Sequence, residues 1–494
     1  MMKNRNTYQI IMAFLLILGW TNSVYACTTI LVGKAASTNG SILIGRNADG
    51  YSGNIAVHFL YHEPKKIGYT YKNLEASSSR FRYHLPNHLM GYTGIPDWET
   101  GTYEEAGFND AGIGISATET IASNPQTLKV DPYVTDKGIL EEAIPTLLLP
   151  QMKTARQGVE MLGKMIETYG SGEGFGVAFV DQHEAWYLEN AGGHQWLAVR
   201  LPDNAYFVSA NQSRLGEVNL SDTRNYLASP TLISFALKKG LYNPKEGVFN
   251  FHKVYGKNDE FDKGYNYPRM IYLLNTYTAS TKNESFTQGD FPVFLKPDHL
   301  LSLTNVEEGL QNYFQGTSHD PYTSQNPKAA VRPISVYRTQ ESSILETRKN
   351  LPKALAHIQY INFGMTALGI YIPFYQTAKI PDDFKIGTDK ADDKSAYWKL
   401  RKLQMMAMLN FPKYAPIVQK AYRQLNIQIQ KDQKQFEQKY LAIYKKNPVA
   451  AKKLLDKFTQ ETVNRVMTTT ASLTNKLITL ESTSINKKYL FDGA

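Results

Sequence analysis

The chain has 494 residues, of which 42% are hydrophobic, and it carries 54 Lys and Arg against 45 Asp and Glu, a formal net charge of +9. A chain of this length can bury one large core with an appended element. The lysines are scattered and become denser toward the end, without a glycine-rich or aromatic-interleaved basic motif. This pattern favours a solvated surface and argues against a nucleic-acid partner.

The first 26 residues have the pattern of a cleavable export signal. Lys3 and Arg5 precede an apolar run from Ile10 to Trp20, and Val24-Tyr25-Ala26 supplies small or branched groups where signal peptidase reads the chain. The run is too short to span a bilayer, and no later stretch approaches about twenty apolar residues. We therefore predict a signal peptide over 1–26, cleavage after Ala26 by signal peptidase, export to the periplasm or the medium, and no stable membrane insertion.

The single cysteine of the chain, Cys27, follows this signal directly. Cleavage after Ala26 would make it the first residue, so its thiol and a free α-amine would share one backbone unit. The amine, with an unperturbed pKa of about 7.7 to 8.0, suits the task of taking the thiol proton. The position of Cys27 therefore predicts an N-terminal nucleophile with its own base, whereas elsewhere a lone cysteine is more often a buried small hydrophobe.

Two predicted strands follow the cysteine, Cys27 to Gly33 and Ser41 to Arg46, because both are rich in β-branched and aliphatic residues. A tight turn at Asn39-Gly40 would leave Arg46 far from Cys27. A wide loop that pairs Gly33 with Ser41 would place Cys27 opposite Asn47, beside Arg46. We favour the wide loop.

Arg46 and Asp49 then offer a cation and a carboxylate near the thiol. A guanidinium beside a thiol lowers its pKa because it stabilises the thiolate. The alternative is a surface ion pair at a strand end, and the spacing alone does not separate the two.

Hydrophobic periodicity predicts the remaining elements. The predicted helices cover Lys153–Tyr169, Asp298–Phe314, Tyr397–Met408, Tyr414–Lys445 and Pro448–Ile478. The predicted strands cover Phe175–Val180, Ala185–Glu189, Trp196–Arg200, Ala205–Ser209, Ser335–Arg338 and Ile358–Phe363.

The motifs CTTILVG from Cys27, NGSILIGRNADG from Asn39 and SATET from Ser116 resemble the cysteine dipeptidases of peptidase family C69. That family is related to penicillin V acylase and conjugated bile salt hydrolase, which are N-terminal-nucleophile hydrolases. The resemblance extends to about Tyr375. It implies an α+β fold, a four-layer αββα sandwich over 27–390, followed by an α-helical extension over 391–494.

The resemblance also implies roles for individual residues. Cys27 would be the nucleophile, with Arg46 and Asp49 beside it as catalytic residues. Asn211, at the exit of a predicted strand, would donate to the oxyanion, and Arg269 would be a second active-site arginine. Turn chemistry at Asn211 and a surface position for Arg269 are the structural alternatives.

Thr118-Glu119 stands where the acylase relatives keep an asparagine. A backbone N–H near Thr118 could then serve the oxyanion, and Glu119 could bind the ammonium group of a substrate through a charge-assisted hydrogen bond. A solvated glutamate at a strand end is the alternative.

The histidine pairs His58/His62 and His84/His88 have a four-residue spacing but lack the glutamate of a His-Glu-x-x-His motif. No phosphate-binding glycine loop follows a predicted strand. We therefore expect neither a metal nor a cofactor.

The sequence predicts an exported dipeptidase that acts through an acyl-enzyme, with small peptides as substrates, and it allows a homo-oligomer. One rival keeps the machinery but hydrolyses a non-peptide amide, such as a penicillin or a bile salt conjugate. The other rival treats Val24 to Cys27 as an approximate lipobox, so that Cys27 anchors a surface binding protein. Lipidation would occupy the catalytic groups, and bulky Tyr25 disfavours it.

Overall fold

A computed structural model describes residues 27–50, 56–74, 77–98, 104–284, 286, 289–323 and 331–491. The predicted signal peptide and its cleavage site lie outside the described residues. Within them, no helix has both the length and the apolar character needed to cross a membrane.

The strands in chain order are β1 (Thr28–Val32), β2 (Ile42–Asp49), β3 (Leu60–His62), β4 (Thr70–Lys72), β5 (Arg82–His84), β6 (Tyr92–Gly94), β7 (Ala106–Phe108), β8 (Gly114–Thr120), β9 (Phe175–Val180), β10 (Ala185–Ala191), β11 (Gln195–Arg200), β12 (Tyr206–Ser209), β13 (Tyr226–Ala228), β14 (Thr339–Thr347), β15 (His357–Phe363) and β16 (Ile372–Tyr375). Within the described residues they form two six-stranded antiparallel sheets and two small two-stranded sheets, β3-β6 and β4-β5. The first large sheet has the order β12-β1-β2-β14-β15-β16, and the second has the order β13-β11-β10-β9-β8-β7.

The α-helices in chain order are α1 (Pro125–Val130), α2 (Ile144–Leu148), α3 (Ala155–Tyr169), α4 (Leu232–Lys238), α5 (Phe251–Tyr255), α6 (Glu260–Tyr265), α7 (Tyr267–Tyr277), α8 (Leu303–Leu310), α9 (Lys353–Ala356), α10 (Ala396–Met408), α11 (Phe411–Tyr444) and α12 (Pro448–Lys488). Short 3-10 turns, including Glu141–Ala143, connect some of them.

The layers follow the order helix, sheet, sheet, helix, and three apolar clusters lie between successive layers. Leu31 and Ile44 of the first sheet pack against Ala178 and Val180 of the second, so the two sheets face each other. The outer face of the second sheet is covered by α2 and α3. The outer face of the first sheet is covered by α7 and α8 and by the long C-terminal helices. The α+β class and the αββα layering predicted from the sequence are confirmed.

The register of β1 and β2 decides which side chains face the nucleophile. Thr28 pairs with Asn47 and Thr29 with Arg46, so the wide loop is correct but the predicted register was wrong by one residue. Side chains alternate between faces along a strand, and a one-residue slip therefore exchanges the faces. In the observed register Cys27, Thr29 and Arg46 share the inner face, whereas Asn47 points outward and donates to Leu310 O over 2.9 Å.

Several predicted elements differ from the structure; the last predicted helix, for example, continues to Lys488 instead of ending at Ile478. The helix predicted over 298–314 covers only Leu303–Leu310, because Ser302 caps its first turn through the Asn305 N–H and the chain turns after Gln311. The strand predicted over 335–338 is a bend and a turn, and the strand begins at Thr339 instead.

The C-terminal helices pack into the same core as the first sheet. Phe436 of α11 is 5% exposed; its ring stacks on Phe458 of α12 at a centroid distance of 4.4 Å and meets Tyr375 of β16 at 5.5 Å. One ring therefore joins two helices to the edge strand. Whether residues 391–494 form a domain of their own stays a prediction.

We expect Phe436→Ala to lower the free energy of unfolding by about 3 to 5 kcal/mol, because truncating a buried ring leaves a cavity among rings that cannot all collapse into it. Urea denaturation followed by circular dichroism measures the change. Phe491, which is 75% exposed, is the matched control, and its replacement by alanine should have little effect. Equal stability of the two variants would contradict the packing described.

Candidate active site

Cys27 lies just before β1 and is 4% exposed. On the neighbouring strand, Arg46 Nη1 donates a hydrogen bond to Cys27 Sγ over 3.2 Å. The contact follows from the register, which places the two side chains on the same face of adjacent strands. The structure therefore brings a fixed cation to the only thiol of the chain.

Two buried acidic side chains lie near Arg46, and one of them contacts it directly. Its Nη2 forms an ion pair with Glu105 Oε2, and Glu341 lies close enough to raise the pKa of Arg46. Burial raises the pKa of Glu341 to about 8 against the opposing charge of Arg46, and Ser343 Oγ donates to Glu341 Oε2 over 2.6 Å. The guanidinium is thus held between a thiol and acidic groups.

Burial raises the pKa of Cys27 to about 12, because the low-dielectric interior disfavours the thiolate. Arg46 opposes this effect, while the carboxylates of Asp49, Glu141 and Glu105 add to it. In the full chain the nitrogen of Cys27 is a peptide nitrogen joined to Ala26. In that state the thiol keeps its proton near neutral pH.

Asp49 ends β2 and is 2% exposed. It forms an ion pair with Arg332 and accepts a hydrogen bond from Thr339 Oγ1. Arg46 and Asp49 are both buried and each pairs with a different residue, so the alternative of a surface ion pair at a strand end is wrong. Asp49 acts on the thiol through its charge.

Arg269 is completely buried on α7, so the alternative of a surface arginine is also wrong. Its Nη1 donates to Cys27 O over 2.5 Å and to Thr28 Oγ1 over 2.9 Å. Its Nη2 donates to Asn211 Oδ1 over 3.0 Å. One guanidinium therefore fixes the backbone of the cysteine and orients the side chain of Asn211.

Asn211 follows β12 and is 8% exposed. Its Nδ2 donates to Thr120 O over 3.2 Å. Asn266 bonds the Asn211 backbone twice: the Asn211 N–H donates to Asn266 Oδ1, and Asn266 Nδ2 donates to Asn211 O. The side chain of Asn211 is therefore fixed in position, and one arginine, Arg269, links it to the cysteine.

The backbones of Thr118 and Glu119 lie in β8, which has an irregularity between Ala117 and Glu119 where it pairs with β9. Their side chains lie outside the described residues. The roles predicted for Thr118 and Glu119 therefore stay predictions.

Sequence reasoning did not identify the residues that support this site, which include Glu105, Glu341, Arg332 and Asn266. Glu105 is 59 positions from Arg46, and Arg332 is 283 positions from Asp49, so no local spacing reveals either pair. The usable signal was charge: a buried arginine or aspartate requires a partner of opposite charge. That rule states that partners exist but does not locate them.

The histidine pairs do not assemble a metal centre in the part of the chain that the structure describes. There, no group of three or more His, Cys, Asp or Glu residues could hold an ion. His62 Nε2 lies 2.5 Å from Glu104 Oε1.

Comparison with known proteins identifies the family of this chain. The sequence pattern of Peptidase family C69 matches residues 26–424. A probable dipeptidase of Salmonella dublin is 48% identical over 381 residues, covering 77% of this chain and 87% of the relative. A probable dipeptidase B of Lactococcus lactis subsp. lactis is 35% identical over 382 residues, covering 76% and 79%, and a dipeptidase of Bifidobacterium longum is 32% identical over 407 residues, covering 76% of each.

Among solved structures, penicillin V acylase from Agrobacterium tumefaciens aligns with 70% of this chain and 86% of its own, at 10% identity and a TM-score of 0.29. A TM-score this low supports no conclusion about the site. The family match covers most of the chain, and its relatives are aligned over most of their own length. The chain therefore belongs to peptidase family C69 and is a peptidase.

Proposed function

We propose that this protein is an exported dipeptidase in which removal of residues 1–26 makes Cys27 an N-terminal nucleophile. One observation carries the proposal: the only thiol of the chain, at the residue after the predicted cleavage site, accepts a hydrogen bond from the Arg46 guanidinium over 3.2 Å. The relatives called dipeptidases support dipeptides as the substrates.

In the acylation step the α-amine of Cys27 takes the thiol proton, and the thiolate attacks the carbonyl carbon of the peptide bond. The tetrahedral oxyanion is stabilised by Asn211 Nδ2 and by a backbone N–H near Thr118. When the C–N bond breaks, the α-ammonium returns the proton to the leaving amine. The products are a thioester on Cys27 and the free C-terminal amino acid.

In the deacylation step a water molecule attacks the thioester carbon while the α-amine accepts a proton from the water. Collapse of the second tetrahedral intermediate breaks the C–S bond and the proton returns to sulfur. The N-terminal amino acid leaves and the free thiol and amine are restored. Arg46 holds the sulfur throughout, and Arg269 holds the carbonyl of the same residue.

Cleavage supplies the base that the uncut chain lacks, because the nitrogen of Cys27 is an amide nitrogen until the Ala26–Cys27 bond is hydrolysed. It also adds a positive charge beside the thiol whenever the new amine is protonated. An opposite charge within about 4 to 6 Å lowers a thiol pKa by about 1 to 3 pH units. Maturation therefore acts on both the base and the nucleophile.

We expect the alkylation of Cys27 by iodoacetamide at pH 8 to be about 10 to 1000 times faster in processed protein than in a form that retains residues 1–26. The thiolate is the reacting species, so a lower thiol pKa raises the rate at any pH below that pKa. The retained form, in which burial raises the pKa of Cys27 to about 12, should react faster with each step in pH across pH 6 to 10.

The two forms can be prepared from one gene, since Ala26→Leu places a bulky group at the position that signal peptidase reads. Cys27 is the only cysteine, so the incorporated mass reports a single site. Equal rates and equal pH dependence in the two forms would contradict the proposal.

A further inference from the structure

A cavity of about 310 Å³ lies on the outer face of the first sheet, between α8 and the long helix α11. Tyr371 forms part of its wall, and Tyr371 Oη lies 2.7 Å from Ser342 Oγ. Ser342 pairs with the outward-pointing Asn47, so the cavity and Cys27 are on opposite faces of the sheet. Ligand pockets usually measure about 300 to 1,000 Å³, and this cavity therefore suits a small molecule.

Two hydrogen bonds hold α11 beside the cavity. Asn426 Nδ2 donates to Glu307 Oε2 of α8 over 2.8 Å. Gln419 Nε2 donates to Ala367 O over 3.3 Å. Arg423 lies four residues after Gln419 and three before Asn426, so the three side chains share one face of the helix. The Arg423 guanidinium lines the cavity and forms no hydrogen bond or ion pair within the part of the chain that the structure describes.

Glu307 supplies a carboxylate on the wall opposite Arg423. The residue lines the cavity and is 2% exposed. Its Oε2 accepts from Asn426, but its buried Oε1 has no hydrogen-bond partner among the described residues. Burial raises the pKa of Glu307 to about 7, and the neighbouring Glu308, which also lines the cavity, adds to the rise. A buried oxygen without a partner is costly, so a cationic ligand group at this position would stabilise the carboxylate.

The carboxylate and the guanidinium lie close enough for one small ligand to reach both. Arg423 is one helical turn from Asn426, which contacts Glu307, and Cβ atoms one turn apart are separated by about 5 to 6 Å. A free α-amino acid carries an ammonium group and a carboxylate on one carbon, so it matches both charges through charge-assisted hydrogen bonds. Gln311 and Gln315 also line the cavity, which favours an amino acid with a polar side chain.

We propose that this cavity binds a free, polar α-amino acid, whose ammonium group is held by Glu307 and whose carboxylate is held by Arg423. The site is separate from the catalytic centre, because Cys27 lies on the other face of the first sheet. Amino acids are also what the proposed dipeptidase releases, although recognition by Glu307 and Arg423 does not depend on that activity.

The test is the binding of L-glutamine to the processed protein, measured by isothermal titration calorimetry after iodoacetamide has alkylated Cys27 and blocked the catalytic centre. Glu307→Gln and Arg423→Gln should each weaken binding by about 10- to 100-fold, because each removes a charge-assisted hydrogen bond. N-acetyl-L-glutamine lacks the ammonium group, and L-glutamine α-amide lacks the carboxylate. Each analogue should bind the parent more weakly than L-glutamine, and each variant should be indifferent to loss of the group that its parent residue holds.

Lys420→Gln is the matched control for Arg423→Gln. Lys420 is an exposed cation on the same helix, but it does not line the cavity, so its replacement should leave the affinity for L-glutamine unchanged. Arg423 is exposed as well, and Arg423→Gln should therefore fold like the parent, which circular dichroism verifies. If the buried substitution Glu307→Gln does not fold, Arg423→Gln and the two analogues decide the outcome.

The inference is overturned if the parent does not bind L-glutamine, if Arg423→Gln binds it as tightly as Lys420→Gln does, or if either analogue binds the parent as tightly as L-glutamine. Failure of the proposed function is distinguishable, because it would appear as dipeptide hydrolysis by Cys27→Ala whatever the result of the calorimetry.

Discussion

Cys27→Ala is expected to reduce kcat for dipeptide hydrolysis by about 10⁴- to 10⁶-fold, the range seen when a covalent nucleophile is removed from a hydrolase. The variant should still fold, because Arg46 keeps its ion pair with Glu105 and the lost sulfur is small. Alanine, a small residue, is also compatible with signal peptidase cleavage when it directly follows the cleaved bond. Release of free amino acids from a dipeptide measures the loss, and circular dichroism verifies the fold.

Cys27→Ser is the matched control, because it keeps the α-amine and exchanges the thiol for a poorer nucleophile. It should be impaired but more active than Cys27→Ala. Dipeptide hydrolysis by Cys27→Ala at a rate near that of the parent would exclude the thiol as the nucleophile.

Arg46→Met should damage both stability and activity. Methionine preserves the length of the side chain but leaves Glu105 and Glu341 without their buried cation, and breaking a buried pair in this way costs about 3 to 5 kcal/mol. The pKa of Cys27 should rise further, since Arg46 is the neighbour that lowers it. Alkylation of the thiol should slow by about 10- to 1000-fold.

The loss of stability should depend on pH. Burial already raises the pKa of Glu341 to about 8, and removing the cation raises it more. A protonated carboxyl is cheaper to bury than a carboxylate, so the difference in unfolding free energy between parent and Arg46→Met should be smaller at pH 5 than at pH 8. Urea denaturation at both values measures it.

Arg46→Lys is the control for charge. It keeps the cation, but it lacks the planar guanidinium group whose separate N–H groups contact the thiol and Glu105. It should fall between the parent and Arg46→Met. Stability and thiol reactivity of Arg46→Met equal to those of the parent would contradict the role assigned to Arg46.

Much of the fold was predictable where one physical signal dominated. The predicted strand over Phe175–Val180 matches β9, because six apolar residues are bounded by turn residues. The predicted helix over 153–169 is α3, which begins after the Thr154 cap and ends before Gly170, whose φ is +78°. In these segments, local propensity, capping and burial agree.

The strand β14 shows why other elements were missed. Its sequence, TQESSILET, lacks the apolar alternation of a core strand, yet all nine residues are buried. The inner face carries Glu341 and Ser343 toward Arg46, and Ser342 on the other face donates to Arg46 O over 3.0 Å. Because β14 supplies polar side chains to the site, its sequence lacks the apolar pattern by which a buried strand is predicted.

The site itself was partly predictable. Cys27 follows from its place after the predicted signal, and Arg46 and Arg269 follow from the family resemblance. Their partners could not be predicted, because Glu105 and Arg332 are brought in by tertiary packing between segments far apart in the chain. The one-residue error between β1 and β2 has a similar cause, since the loop length and not the strand pattern sets that register.

The most direct test of the central claim is the intact mass of the protein after its active fraction has been labelled by a thiol-directed dipeptide analogue. We predict that the labelled species has the mass of residues 27–494 plus one label, located on an N-terminal Cys27. A labelled and active species whose chain begins at any other residue, or whose label is carried elsewhere, would contradict the account.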